Sequence, residues 1–202
     1  MPASPASRAF FRRPSPVVAR DLLGRVVVSR TPEGVVGVRL VEVEAYAGED
    51  DPASHAWRGP TPRTRIMYGR PGHAYVYFSY GVHWCVNLVC EQEGRAAAVL
   101  LRAGEVVLGE DLARRRRRPG TLSARLASGP GNLAAALGLD GTWAGIDVVA
   151  PGSALRLRAG TPVAEEEVAV GPRIGVSRGV ETPWRFLVDG NPCVSGPRRT
   201  RG

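Results

Sequence analysis

Short runs of β-branched and aliphatic residues, broken every few positions by Gly, Pro or Asp, narrow the fold of this chain more than any other feature. Arg25 to Arg30 and Val35 to Tyr46 read as strands around a turn at Thr31-Pro32-Glu33-Gly34. His73 to Val89 reads as two strands around a tight turn at Tyr80-Gly81, and Ala97 to Ala103 as a buried strand. Helical patterns are fewer. Ser15-Pro16 opens one, with serine as cap and proline in the first turn, and Gly24 stops it. Others are expected from Asp51-Pro52 through His55, from Glu105 to about Arg117, from Ser128-Gly129-Pro130-Gly131 to Gly138, and near Pro183 to Val188. There is no regular strand–helix–strand alternation, which argues against a doubly wound fold. The expected class is α+β: a single domain with a largely antiparallel curved sheet, short surrounding helices and a protruding aromatic β-hairpin.

At 202 residues the chain is long enough for one well-packed domain and short for two. That domain is expected over residues 16–195, between a loose N-terminal arm at 1–15 and a basic tail at 196–202. No apolar run approaches the roughly 20 residues that cross a bilayer. The N-terminus has no basic region followed by an apolar stretch, so a cytoplasmic protein with no membrane partner is expected. Cys85, Cys90 and Cys193 match no zinc or redox spacing and read as small buried hydrophobes. A net charge of +8 points to a polyanionic partner, nucleic acid above all. Every basic residue other than histidine is arginine, which coding bias in a GC-rich genome would also produce. The missing lysine has a chemical consequence, since no lysine amine is available to form a Schiff base with a sugar.

Four groups of residues carry chemistry. In Val41-Glu42-Val43-Glu44-Ala45-Tyr46, alternation places both glutamates on one strand face and both valines on the other. Two such carboxylates can form a plain solvated edge. Alternatively Glu44, at the strand end beside Tyr46, projects into a cleft as a general base able to deprotonate water and stabilise an oxocarbenium-like sugar. His55 follows the acidic stretch Glu49-Asp50-Asp51 and reads as structural or as part of a site. The run from His73 to Asn87 is an aromatic hairpin with Tyr75 and Tyr77 on one face and Phe78 and Tyr80 on the other. Such rings often serve as cross-strand pairs, but Tyr80 sits at the turn, where a large ring is exposed unless something accepts it. The arginines are Arg63, Arg65 and Arg70 before the hairpin, Arg102 in an apolar strand where its charge needs a partner, and the run 114–118, a solvated face or a phosphate contact.

Glu44-Ala45-Tyr46, His55, Thr61-Pro62-Arg63, Pro71-Gly72, Tyr75-Val76-Tyr77, Tyr80-Gly81, Cys85-Val86-Asn87, Leu100-Leu101-Arg102-Ala103 and Ser128-Gly129-Pro130 occur in that order. In this the chain resembles the alkyladenine DNA glycosylase family, the methylpurine type of 3-methyladenine DNA glycosylase, from about Pro16 to Ser195. Arg173-Ile174-Gly175-Val176 and Trp184-Arg185-Phe186 resemble the family's C-terminal part. The resemblance implies that Glu44 activates the water and that Tyr46, His55 and Tyr77 wall a flipped base. It implies that Asn87 lies on the pocket floor and obstructs the exocyclic amine of normal guanine, and that Tyr80 fills the gap left in the duplex. Arg102 would support the water, the carboxylate or a phosphate. Arg63, Arg65, Arg70 and Arg173 are candidates for contacts to the DNA backbone.

The implied partner is double-stranded DNA containing damaged purines, with no metal, no cofactor and a monofunctional mechanism; monomer is the default state. Alkylated purines carry positive charge, leave readily and stack on tyrosine faces, so cationic methylpurines are expected substrates ahead of neutral lesions. A non-catalytic nucleic-acid-binding module would use the hairpin and the basic surface but leave Glu44 idle. A nucleoside hydrolase would use Glu44 but leave the charge and Tyr80 idle.

Overall fold

A computed structural model describes residues 6–196. Val26–Thr31 (β1) and Gly34–Ala47 (β2) form one hairpin, and Ala74–Ser79 (β3) and His83–Cys90 (β4) form another. Ala97–Leu108 (β5) lies between the hairpins, pairing with β4 on one side and β2 on the other. Ala127–Ser128 (β6) adds to β5, and Leu155–Arg158 (β7) extends the sheet beyond β1. Val168–Gly171 (β8) pairs with Arg185–Val188 (β9), and β9 lies against Glu42–Glu44 of β2. The main path is β3-β4-β5-β2-β1-β7, antiparallel throughout the described strands, and the sheet curves without closing. This single-domain α+β architecture is the one expected.

Helices Ser15–Leu22 (α2) and Pro130–Leu137 (α4) hold the sheet in place. Val18 and Leu22 from the first, and Leu133 and Leu137 from the second, join Val43, Leu88, Val99 and Leu101 in the main core. Each fully buried aliphatic side chain contributes about 1.5–3 kcal/mol. The three cysteines are buried and unpaired, as expected.

Several local expectations fail because tertiary pairing outweighs local preference. Glu105 to Leu108 continues β5 instead of opening a helix. Val106 pairs with Val38, and Arg39 bonds Glu105 at 2.6 Å, so the helix is only Glu110–Arg115 (α3), entered through Gly109 at φ 71°. The Pro183–Val188 segment contains strand β9, because β2 and β8 both offer it hydrogen-bonding edges. Residues 51–55 form turns, since the Asp51 carboxylate binds the Ala47 and Ala53 amides and an arginine. Ser15 is the first residue of α2, not its cap; its hydroxyl donates to the Tyr46 carbonyl at 3.1 Å.

The described part of the expected arm is also ordered: Arg8–Phe11 (α1) is a helix, Phe11 is 0% exposed, and Arg8 bonds Asp147 and the Pro71 carbonyl. Residues 1–5, and the expected basic tail beyond Gly196, lie outside the described residues.

Candidate active site

The site is built where β2 meets β5. Register shifts there leave Val41 on β2 and Arg102 on β5 without a paired residue. Such a bulge re-aims a side chain. Here Arg102 meets both glutamates of β2, with Nε 3.0 Å from Glu42 Oε1 and Nη1 3.3 Å from Glu44 Oε2. Both carboxylates are 0% exposed, so the solvated-edge reading is excluded. Glu42 also accepts bonds from Arg185 Nε at 2.7 Å and the Ser195 amide at 2.6 Å, and Arg102 reaches the Ser195 hydroxyl at 3.3 Å. Two buried carboxylates are thus matched by two arginines, which avoids the penalty of an uncompensated buried charge. Val41 departs from the face shared by Val43, packing in a small cluster with Ala103, Cys193 and Val194.

Glu44 is held from three directions. Tyr46 Oη donates to Oε2 at 2.8 Å, the Ile174 amide donates to Oε1 at 2.7 Å, and Arg102 donates to Oε2. A carboxylate offers about four acceptor positions, so these bonds leave one on Oε1. Burial first, then the negative charge of Glu44 and the hydrogen bond to it, hold the Tyr46 phenol well above its usual range. Tyr46 therefore keeps its proton near neutral pH and acts as a hydrogen-bond donor to Glu44. For Arg102, burial alone would lower its affinity for the proton, but Glu44 and Glu42 raise it overall.

In front of this group lies a cavity of about 490 Å³. That is within the range of small-molecule sites, about 300–1,000 Å³. Tyr46, Arg102 and Ile174, the three residues that bond Glu44, line it, and Glu44 lies behind them. Tyr77, Tyr75, His55 and Asn87 contribute further wall. The His55 and Tyr77 rings meet edge to face, with centroids 4.6 Å apart, and Tyr75 lies tilted against Tyr77 at 5.3 Å. His55 Nδ1 is 3.3 Å from the Tyr75 hydroxyl. Asn87 is buried and donates through Nδ2 to the Tyr75 carbonyl at 3.2 Å. Burial first, and then contact with the Cys85 thiol, raises the Tyr77 phenol above its usual range. Desolvation, followed by the charge of Arg63, lowers the His55 imidazole below its ordinary value.

The expected rim residues divide. Tyr80 is 83% exposed at the hairpin tip and borders the cavity. Arg63, Arg65 and Arg70 are exposed, and the Arg63 guanidinium lies 4.8 Å from the Tyr77 ring centre, inside the mouth. Arg173 does not join them. Its side chain is 0% exposed and engages Asp51, so it is unavailable to a DNA backbone. Within the run 114–118, Arg114 pairs with Glu110, and Arg116 with Glu33 and the Ala136 carbonyl at the end of α4 opposite the cavity. Period-two spacing sets Glu42 on the strand face of Glu44 but gives it no role of its own; Asp51, Ile174 and Ser195 escape sequence reasoning as site residues because they act through contacts between distant segments.

Among the described residues no helix is long and apolar enough to cross a membrane, and no cluster of three or more His, Cys, Asp or Glu is arranged for a metal. The family model for Methylpurine-DNA glycosylase matches residues 9–192. Provisionally named 3-methyladenine DNA glycosylases resemble the chain over nearly its full length. The protein of Streptomyces avermitilis is 53% identical, covering 98% of this chain and 96% of its own. That of Cutibacterium acnes is 51% identical over 92% and 96%, and that of Frankia casuarinae 48% over 98% and 96%. Likeness of this extent makes the chain a member of the methylpurine-DNA glycosylase family, hydrolases of N-glycosyl bonds that act on DNA.

Proposed function

We propose that the protein extrudes damaged purines from duplex DNA into the cavity bounded by Tyr46, His55 and Tyr77, and hydrolyses the bond to deoxyribose with water activated by Glu44. The observation that carries this reading is the Glu44 carboxylate, buried behind the cavity wall and bonded by the wall residues Tyr46 at 2.8 Å and Ile174 at 2.7 Å. A water admitted to Glu44 through that wall gives one proton to the carboxylate as its oxygen bonds to the anomeric carbon. The electron pair of the breaking C–N bond leaves with the purine. A cationic alkylpurine departs neutral, so it needs no proton donor, and cationic lesions are the preferred substrate class. The products are a free base and an abasic site, without strand cleavage.

In the same reading, Asn87 disfavours the exocyclic amine of normal guanine. Tyr80 enters the gap in the duplex, and Arg63, Arg65 and Arg70 approach the phosphates. Extrusion costs less for a weakly paired lesion than for a normal base, which adds selectivity.

Glu44→Gln tests the assignment because it retains the shape of the side chain while removing its basicity. The expected result is unchanged binding to a duplex carrying a methylpurine, with single-turnover base release lowered about a hundredfold or more, the range general acid–base catalysis supplies. Base release at the native rate overturns the assignment and leaves a binding module or a different nucleophile system.

A further inference from the structure

We propose that the buried ion pair between Asp51 and Arg173 is the positioning device that sets the Glu44 carboxylate in its working orientation, acting through the amide of Ile174. The proposal rests on the reading of Glu44 as the general base.

Residues 172–184 join β8 to β9 and adopt neither helix nor strand. A ladder bond fixes only its end, where the Trp184 carbonyl accepts from the Ala45 amide at 2.9 Å, although Ile174, Gly175, Val176, Ser177 and Arg178 from it form a cavity wall. Its anchor is Arg173. Nη1 donates to Asp51 Oδ2 at 2.5 Å and to the Ala45 carbonyl at 3.0 Å, and Nη2 donates to Asp51 Oδ1 at 2.9 Å and the Gly179 carbonyl at 3.3 Å. The two side chains are 0% and 2% exposed. The guanidinium also lies 4.8 Å from the Tyr46 ring centre and 5.4 Å from that of Trp184. Asp51 is held in turn by the Ala47 amide at 3.2 Å and the Ala53 amide at 3.0 Å.

The outcome is a closed circuit of a few residues. Glu44 precedes Ala45, the Ala45 carbonyl accepts from Arg173, and the amide after Arg173 returns to Glu44 Oε1 at 2.7 Å. A planar guanidinium forked onto a carboxylate fixes both distance and orientation. A buried ion pair contributes little net stability compared with apolar residues of the same size. Its distinctive contribution here is geometric, holding the Ile174 amide on one oxygen of the carboxylate.

The test uses the full-length double variant Asp51→Asn/Arg173→Gln, which leaves no unpaired buried charge. Three measurements are made beside the native protein and Glu44→Gln: affinity for a methylpurine duplex, single-turnover base release, and amide exchange at Ile174. The expected result is loss of exchange protection at Ile174 and base release slower by about ten- to a hundredfold, as a misplaced catalytic group produces, with affinity falling by less than the rate because the same segment walls the cavity. Arg173→Lys, which keeps the charge and loses the fork, gives a smaller fall in rate with the same exchange change, and it decides the matter should the double variant not fold. Native base release with Ile174 unprotected overturns the proposal, as does a rate loss with Ile174 still protected. If Glu44→Gln itself releases base at the native rate, the water-activation reading fails. If Glu44→Gln is inactive while the paired variant runs at full speed, only the positioning proposal fails.

Discussion

The His55 and Tyr77 rings meet nearly at right angles, and Arg63 stands against the Tyr77 ring. Desolvation is the larger cause lowering the imidazole's affinity for a proton, and the Arg63 charge adds to it. Histidine ordinarily titrates near pH 6.5, so this one is neutral at pH 7. On the proposed reading, a neutral imidazole adds no further positive charge to a cavity mouth that already holds Arg63. Replacing Arg63 with alanine removes a lowering influence and leaves most of the desolvation. The expected result is a His55 titration shifted upward, approaching the ordinary value from below, as followed by the imidazole proton resonances against pH. A titration that stays in place would show that the guanidinium does not face the imidazole in solution. Arg63 thus acts on the imidazole in addition to the phosphate contact proposed for it, because its charge sits inside the mouth.

The hairpin of β3 and β4 shows how an element stores a cost for use elsewhere. Tyr80 and Gly81 have φ of 49° and 67°, and the Val82 amide bonds the Ser79 carbonyl at 3.1 Å. Positive φ at both central positions is the geometry of a type I′ turn, which suits glycine and asparagine. A tyrosine there pays a conformational penalty of about 1–2 kcal/mol, and its ring is left in solvent. Tyr80→Gly is expected to raise unfolding stability by up to about 1 kcal/mol, because glycine recovers part of the strain but loses more backbone entropy on folding. The same change should weaken binding at a lesion while leaving the circular dichroism spectrum intact. Equal or better lesion binding would remove Tyr80 from the set of DNA contacts.

Across the whole molecule, the site depends on segments drawn from nearly the entire described chain. Helix α1 near the start joins the main core through Phe11, and Ser195 near the end donates its amide to Glu42. Phe11 belongs to the main core with Val43 and Leu101, the neighbours in sequence of Glu44 and Arg102. Phe11→Ala should therefore behave as a core truncation and not as trimming of an arm, costing about 3–5 kcal/mol in denaturant unfolding. A loss within measurement error would mean that the N-terminal helix is undocked in solution. The same dependence explains why one sheet can present a buried charge network on one side and an apolar core on the other: α2 and α4 close the apolar side, and the segments at 172–184 and 193–195 close the charged one.

Strand periodicity was enough to identify the antiparallel α+β class, to put Glu42 and Glu44 on a common face, and to locate the aromatic hairpin, since each follows from an alternation of period two along the chain. The order of short motifs around Glu44, Tyr77 and Arg102 pointed to the family. Local sequence did not decide whether 105–108 and 185–188 were helix or strand, because propensity differences are fractions of a kcal/mol per residue and a free sheet edge outweighs them. Nor did it separate the arginines. Arg63 and Arg173 look alike in sequence, yet one lies at the cavity mouth and the other is buried on Asp51, 122 positions away. The partner of a buried charge is set by where the folded chain brings a carboxylate, and that is a property of the tertiary structure alone.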